Sequence, residues 1–175
     1  MKKILFATLL IMLPLFNNSI QAQAQVDEYK AVFTLNFLRY IGWPDSSLEG
    51  DFVIGVIRNS NVANNLREQS EGKKFGFQDV VVREYSSVDE IEECQLIYVG
   101  SRINIRRESE TLIEKARESN SLIISEADNA TDHGAAINFV IRDNTLRFEL
   151  HQGNAAWMGL QFSSRLEGMS AAIVL

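Results

Sequence analysis

In FVIGVIR, residues 52–58, aromatic and β-branched residues run from Phe52 to Ile57 over the length of a strand, with only Gly55 among them and Arg58 at the end. A strand with one wet face alternates polar and apolar residues. This one does not, which predicts burial on both faces, as in a parallel sheet covered by helices. Asn59, Ser60 and Asn61 follow with N-cap chemistry for a short helix through Leu66. The same strand-to-helix unit recurs downstream. Gln78 to Tyr85 is a second strand, and the Ser87 and Glu90 spacing of a capping box predicts a short helix ending near Glu93. QLIYV (95–99) is a third strand, leading to a charged helix over 106–120 with a thin apolar face of Leu112, Ile113 and Ala116; SLIIS (121–125) is a fourth. Right-handed crossovers turn such an order into a single α/β domain, with a mostly parallel central sheet and helices on both faces.

Both flanks depart from that repeat. Upstream, Tyr29, Val32, Phe33, Phe37, Tyr40 and Ile41 recur at helical spacing over 26–41, with Asp27, Lys30, Asn36 and Arg39 on other faces. Gly42, Trp43 and Pro44 end that helix. Downstream, Ala136 to Arg142 and Thr145 to Leu150 flank Asp143 and Asn144, which are suited to a two-residue turn, so a C-terminal antiparallel hairpin is expected. A last helix from about Asn154 to Leu166 and an apolar tail, Ala171 to Leu175, complete the reading.

Lys2 and Lys3 precede an apolar run from Ile4 to Phe16, followed by the small pair Ala22 and Ala24. This is the three-part pattern of a secretory signal peptide over residues 1–24, cleaved after Ala24, leaving an α/β domain over 25–175 in the periplasm. The apolar run is too short to span a membrane comfortably, where about 20 residues are needed, and Pro14 interrupts it. The whole chain of 175 residues carries a net charge of -6; removing two lysines with the leader leaves 15 basic against 23 acidic residues, or -8. Such an acidic balance argues against nucleic acid as a partner. Cys94 is the only cysteine, so no intramolecular disulfide is available, and a half-buried small hydrophobe is its simplest role.

Catalytic chemistry finds little support. There is no Gly-x-Ser-x-Gly elbow, and Ser163 and Ser164 sit in an amphipathic stretch beside Leu160, Phe162 and Leu166. His133, His151, Asp128 and Asp132 lack the spacing of a metal set, so neither a metal nor another cofactor is expected. Two binding surfaces are candidates. Parallel sheets form ligand crevices at the carboxyl ends of their strands, here at Asn59, Ser60, Ser101 and Arg102, although such residues also serve as helix caps. Arg39, Tyr40, Trp43 and Pro44 form either part of the core or an exposed partner-docking patch of the usual aromatic and Arg type.

NFLRYIGWP (36–44), FVIGVI (52–57), LIIS (122–125) followed by GAAINFV (134–140), RFEL (147–150) and GLQFSSRLE (159–167) together resemble the YfiR family of small exported bacterial proteins. The resemblance implies a non-enzymatic periplasmic regulator with an α/β fold. It would bind the extracytoplasmic region of a membrane signalling protein, by family default inhibiting a diguanylate cyclase and so lowering cyclic-di-GMP and biofilm formation. An outer-membrane lipoprotein that sequesters the regulator and a homodimer are further partners the family implies. Some members carry disulfides, which the lone Cys94 does not permit within one chain. The family also occurs beside sensor kinases, so a periplasmic module that binds a small molecule or cell-wall fragment and feeds such a kinase is the alternative.

Overall fold

The computed structural model describes residues 13–174. Most of the apolar run assigned to the leader lies outside the described residues. One helix, α1 (Leu13–Phe37), runs through the expected cleavage point and ends in a 3₁₀ turn, Leu38–Tyr40. The strand expected from FVIGVIR is β2 (Phe52–Ile57), buried at all six positions. It follows a two-residue strand, β1 (Ile41–Gly42). Asn59 caps α2 (Ser60–Ser70), its side chain accepting the Val62 N–H. A short β3 (Lys74–Phe75) turns back into β4 (Gln78–Tyr85); β5 (Leu96–Val99), α3 (Ile105–Glu118) and β6 (Leu122–Ser125) follow.

With β7 (Ile137–Arg142), β8 (Thr145–His151) and β10 (Ala172–Val174), the strands form one eight-stranded sheet in the order β10-β8-β7-β6-β5-β2-β4-β3, and β4, β2, β5, β6 and β7 run parallel. From β2 the chain crosses through α2 to β4 in one direction along the sheet; from β5 it crosses through α3 to β6 in the other. Because both crossovers are right-handed, travel in opposite directions places the two helices on opposite faces. The hairpin of β7 (Ile137–Arg142) and β8 (Thr145–His151) is as expected: Asp143 and Asn144 have φ of 50° and 56°, the left-handed pair that a two-residue turn needs.

α1 packs on the sheet through aromatic side chains. Phe37 is 1 % exposed and lies 4.7 Å from Phe148 and 5.9 Å from Phe139, ring centre to ring centre, with Phe33 alongside at 6.1 Å.

Three expectations need correction, and the tail gains a structure. No helix forms between Ser87 and Glu93; the Glu90 carboxylate accepts the Ser86 N–H at 2.8 Å, and Lys115 donates to the carbonyls of Asp89 and Ile91, so a charged loop satisfies itself without one. The single helix over 154–166 is two, α4 (Gln152–Trp157) and α5 (Ser164–Met169). Between them Gly159, at φ +74°, turns the chain so that β9 (Gln161–Phe162) pairs with β1, and Ser163 becomes the cap of α5 rather than part of a packing face. The apolar tail is β10 (Ala172–Val174), an edge strand parallel to β8. Finally, Asp27 and Lys30, placed on faces of the first helix other than its aromatic stripe, are nevertheless buried, at 2 % and 7 % exposed.

Candidate functional site

Strand order reverses between β2 and β5, because the chain leaves one toward β4 and the other toward β6. The carboxyl ends of strands at such a switch point are where open α/β sheets form their ligand crevice. In this chain the crevice is filled from within. Glu126 follows β6 directly, and its side chain is 5 % exposed. Its carboxylate pairs with Lys30 of α1 and accepts hydrogen bonds from the Tyr98 hydroxyl, the Asn59 amide and the Ser101 backbone N–H, each at 2.9 Å. Lys30 also donates to Asp27 at 3.1 Å; Asp27 in turn accepts from Gln23 at 3.0 Å and Asn61 at 3.2 Å.

Burial pushes the Glu126 carboxyl upward, but the Lys30 ammonium and the donors from Ser101 and Tyr98 outweigh it, holding the group below the ordinary carboxylate value. Tyr98 moves the other way: burial first, then the negative charge of Glu126 beside it, raise the phenol well above its usual value. The pair therefore exists as carboxylate and neutral phenol at any physiological pH. It is a fully hydrogen-bonded anion, locked by one cation from the helix across the strand ends.

Two of the four crevice candidates, Asn59 and Ser101, thus converge on one carboxylate that the chain itself supplies. The other two stand outside. Ser60 donates to Glu84, and Arg102 is exposed beside Arg58, Glu84, Tyr85 and Ser86 in a shallow surface depression of about 490 Å³. Of the docking candidates, Arg39 is exposed, while Tyr40 is half-buried with the Arg165 guanidinium 5.5 Å above its ring. Trp43 is half-buried, donates its indole N–H to the Leu38 carbonyl at 3.0 Å and stands edge-on to Phe52 at 5.0 Å. Pro44, also half-buried, accepts the Ser47 N–H at 2.9 Å. Much of the Trp43 surface is therefore committed to the core, leaving Arg39 and the Tyr40 edge as the open part of the quartet.

Sequence reasoning missed Glu126, Tyr98, Asp27 and Lys30. The one local signal was the opposite charge pair at i,i+3 on a helix with an aromatic stripe, which reads equally as a solvated pair.

The histidines have separate places. His151 Nδ1 accepts the Asn154 N–H at 3.1 Å and caps α4, whereas His133 lies in the 3₁₀ turn before β7. Among the described residues no group of three or more His, Cys, Asp or Glu side chains is arranged to hold a metal ion.

Cys94 is fully enclosed, and burial pushes its thiol up to about 11. The thiolate is the reactive form, so the native protein should fail to react with Ellman's reagent at pH 8 and react fully in urea. Rapid labelling of the folded protein would show that the site opens.

A second feature lies beside the network. A cleft of about 520 Å³ runs from Lys30 and Glu126 past Asp128 and Asn129 to the outer half of β7 and the neighbouring residues Leu146 and Glu149 of β8. Asn138, 1 % exposed, lines it with an Oδ1 that has no hydrogen-bond partner. No helix among the described residues is long and apolar enough to cross a membrane.

Comparison with known proteins gives a shared fold and one family. No curated protein matches the chain. Among solved structures, a conserved domain protein from Vibrio cholerae O1 biovar El Tor superposes with a TM-score of 0.57 at 10 % identity, over 84 % of this chain and 60 % of that one. The ABC domain in complex with L-Trp from Streptococcus pneumoniae reaches 0.50 at 13 % identity, over 70 % and 55 %. The chain thus spans less than two thirds of either structure, and at these identities the likeness concerns the fold alone. The sequence profile of one family, described as YfiR/HmsC-like, matches residues 27–170, from the first buried acid of the network to the residue after α5, and the chain belongs to that family.

Proposed function

We propose that the chain is a periplasmic regulator, exported by cleavage after Ala24, that binds the extracytoplasmic region of a membrane signalling protein. The observation that carries this reading is the family match over residues 27–170, since YfiR/HmsC-like proteins are regulatory rather than catalytic. The receptor is by family default a diguanylate cyclase, held in its inactive conformation by a regulator that prefers that state. Arg39, Tyr40, Trp43 and Pro44 form one candidate contact surface, and an outer-membrane lipoprotein that competes for the regulator, or a second copy of the chain, would modulate it.

The geometry at the strand ends bears on the alternative, a small-molecule module feeding a sensor kinase. The crevice such a ligand would use is occupied by the Lys30 and Glu126 pair with all its donors internal. A ligand entering there would have to break a buried ion pair, which is costly.

Deleting the gene is expected to raise cyclic-di-GMP severalfold in the producing cell, and in-cell crosslinking should recover a membrane protein with an extracytoplasmic domain. Unchanged cyclic-di-GMP together with no such crosslink would overturn the proposal. Selective thermal stabilisation of the purified protein by an amino acid, nucleotide or cell-wall fragment would instead support the alternative.

A further inference from the structure

β6 stops early. Its last pairing places Ser125 opposite Asn138, whereas β7 continues through Phe139, Val140, Ile141 and Arg142. The cause is local: Ser125 Oγ accepts the Ala127 N–H at 3.1 Å, a turn that diverts the chain, and Asn129 at φ 55° carries it further from the sheet. The outer half of β7 is therefore paired with β8 on one side only.

The hairpin fixes which backbone groups are left over. A two-residue turn at Asp143 and Asn144 makes Arg142 and Thr145 a hydrogen-bonded pair, and alternation then makes Val140 with Arg147, and Asn138 with Glu149, bonded pairs as well. The His151 N–H bond to the Ala136 carbonyl has the same parity. Phe139 and Ile141 thus direct their N–H and C=O groups away from β8; the Phe139 N–H faces Ser125, the last residue of β6, so the groups left over are the Phe139 carbonyl and both groups of Ile141.

The cleft described above surrounds this edge. Phe139 and Ile141 lie on the face of β7 covered by α1, and Asn138, Val140 and Arg142 on the other, yet all five line the same cleft. Only a cleft that straddles the strand's edge touches both faces. Natural sheets usually cover or charge such edges; here Ile141 stands 57 % exposed beside Val26 and Leu146.

The geometry points to this edge as a site for strand addition, in which an extended segment of the partner protein continues the ladder where β6 leaves off, with alternate side chains falling on the two faces. One set would lie against Val26, Ile141 and Leu146. The other would meet Asn138, whose buried amide oxygen offers an unused acceptor, and Asp128, an exposed carboxylate with no ion-pair partner among the described residues. The other charges of the cleft are paired, Lys30 with Glu126 and Arg142 with Glu149. The fitting segment is thus extended, apolar at alternate positions and basic at one end. Only Gln23 of the residues named in the cleft and its network precedes the expected cleavage point. The inference rests on the proposed function for the partner's being a protein.

The test uses random dodecapeptides displayed on phage and selected on the purified protein. Alternating apolar sequences carrying Lys or Arg are expected to be enriched, to slow amide hydrogen exchange at Ile141, and to lose at least tenfold in affinity on Asp128→Asn at low salt. Ile141→Pro deletes the edge N–H while keeping every bond to β8, so it should fold and abolish binding. If that variant does not fold, exchange at Ile141 in the wild type decides alone. No enriched peptide, or peptides that leave Ile141 exchange unchanged, would overturn the site. Failure here with cyclic-di-GMP still rising on gene deletion removes the strand-addition site and leaves the regulator; peptide binding at Ile141 with no effect of deletion does the reverse.

Discussion

Lys30→Met is expected to cost about 3–5 kcal/mol of stability at pH 7, the usual penalty for removing one partner of a buried, hydrogen-bonded ion pair. The substituted side chain is close in length and apolar, so packing is largely kept and the loss reports the charge. What remains is a pair of buried carboxylates, Asp27 and Glu126, with no cation between them. Urea unfolding followed by circular dichroism measures the change, and its pH dependence identifies the cause. In the wild type the Glu126 value is held below that of an unfolded carboxylate, so its contribution is fully present above about pH 5 and is lost as pH falls through and below the ordinary carboxylate range. In the variant the sign reverses. Without Lys30, burial dominates and raises the carboxyl, so protonation relieves the defect and the gap between variant and wild type narrows on going from pH 7 to pH 5. A loss below about 1 kcal/mol, independent of pH, would mean that water solvates the network as it does a surface pair.

Phe37→Ala is expected to cost about 3–5 kcal/mol as well, by a different route. Phe37 is the ring on which α1 meets the β7 and β8 hairpin, in contact with Phe33, Phe139 and Phe148 at once. Removing it leaves a void bordered by aromatic rings and side chains fixed to strands, which relax little into the space. Phe33→Ala, at a half-buried position one turn earlier, should cost distinctly less. Equal losses in the two variants would show that the helix is held by its length of contact and not by this ring.

The parts of the fold that were legible in the sequence are those decided by neighbours in the chain. FVIGVIR had nowhere to place a polar face, so a strand buried on both sides followed from composition alone. Asp143 and Asn144 accept the left-handed conformation that their turn demands, so the hairpin and its register were set by two residues. Asn59 was visible as a cap because a cap acts within three residues. Gly159 was a signal of the break between α4 and α5 that amphipathic periodicity on both sides obscured. The Ser87 and Glu90 spacing misled for the opposite reason: capping groups were present, but no apolar face rewarded a helix between them.

The network could not be read in the same way. Glu126 lies 96 positions from Lys30, and nothing near either residue marks it as buried. A lysine on an amphipathic helix is ordinarily solvated; here α1 crosses the carboxyl ends of the strands, and that placement depends on the sheet order rather than on the helix. The free edge of β7 was hidden similarly, because the sequence shows where a strand is but not how far its neighbour accompanies it.

The pairing of β1 with β9 ties Ile41 to Phe162, and the rings that receive α1 belong to a hairpin made about a hundred residues after it. A chain emerging from its N-terminus can set α2 against α1 early, through the Asn61 bond to Asp27, but the rings that seat Phe37 do not exist until β7 and β8 have been synthesised, and closing such distant contacts is slow. Native structure therefore waits for the last quarter of the chain. The export proposed above would carry the chain across a membrane as a loose polypeptide, and delay of this kind would keep it threadable; the same long-range ties join the two ends of the completed domain.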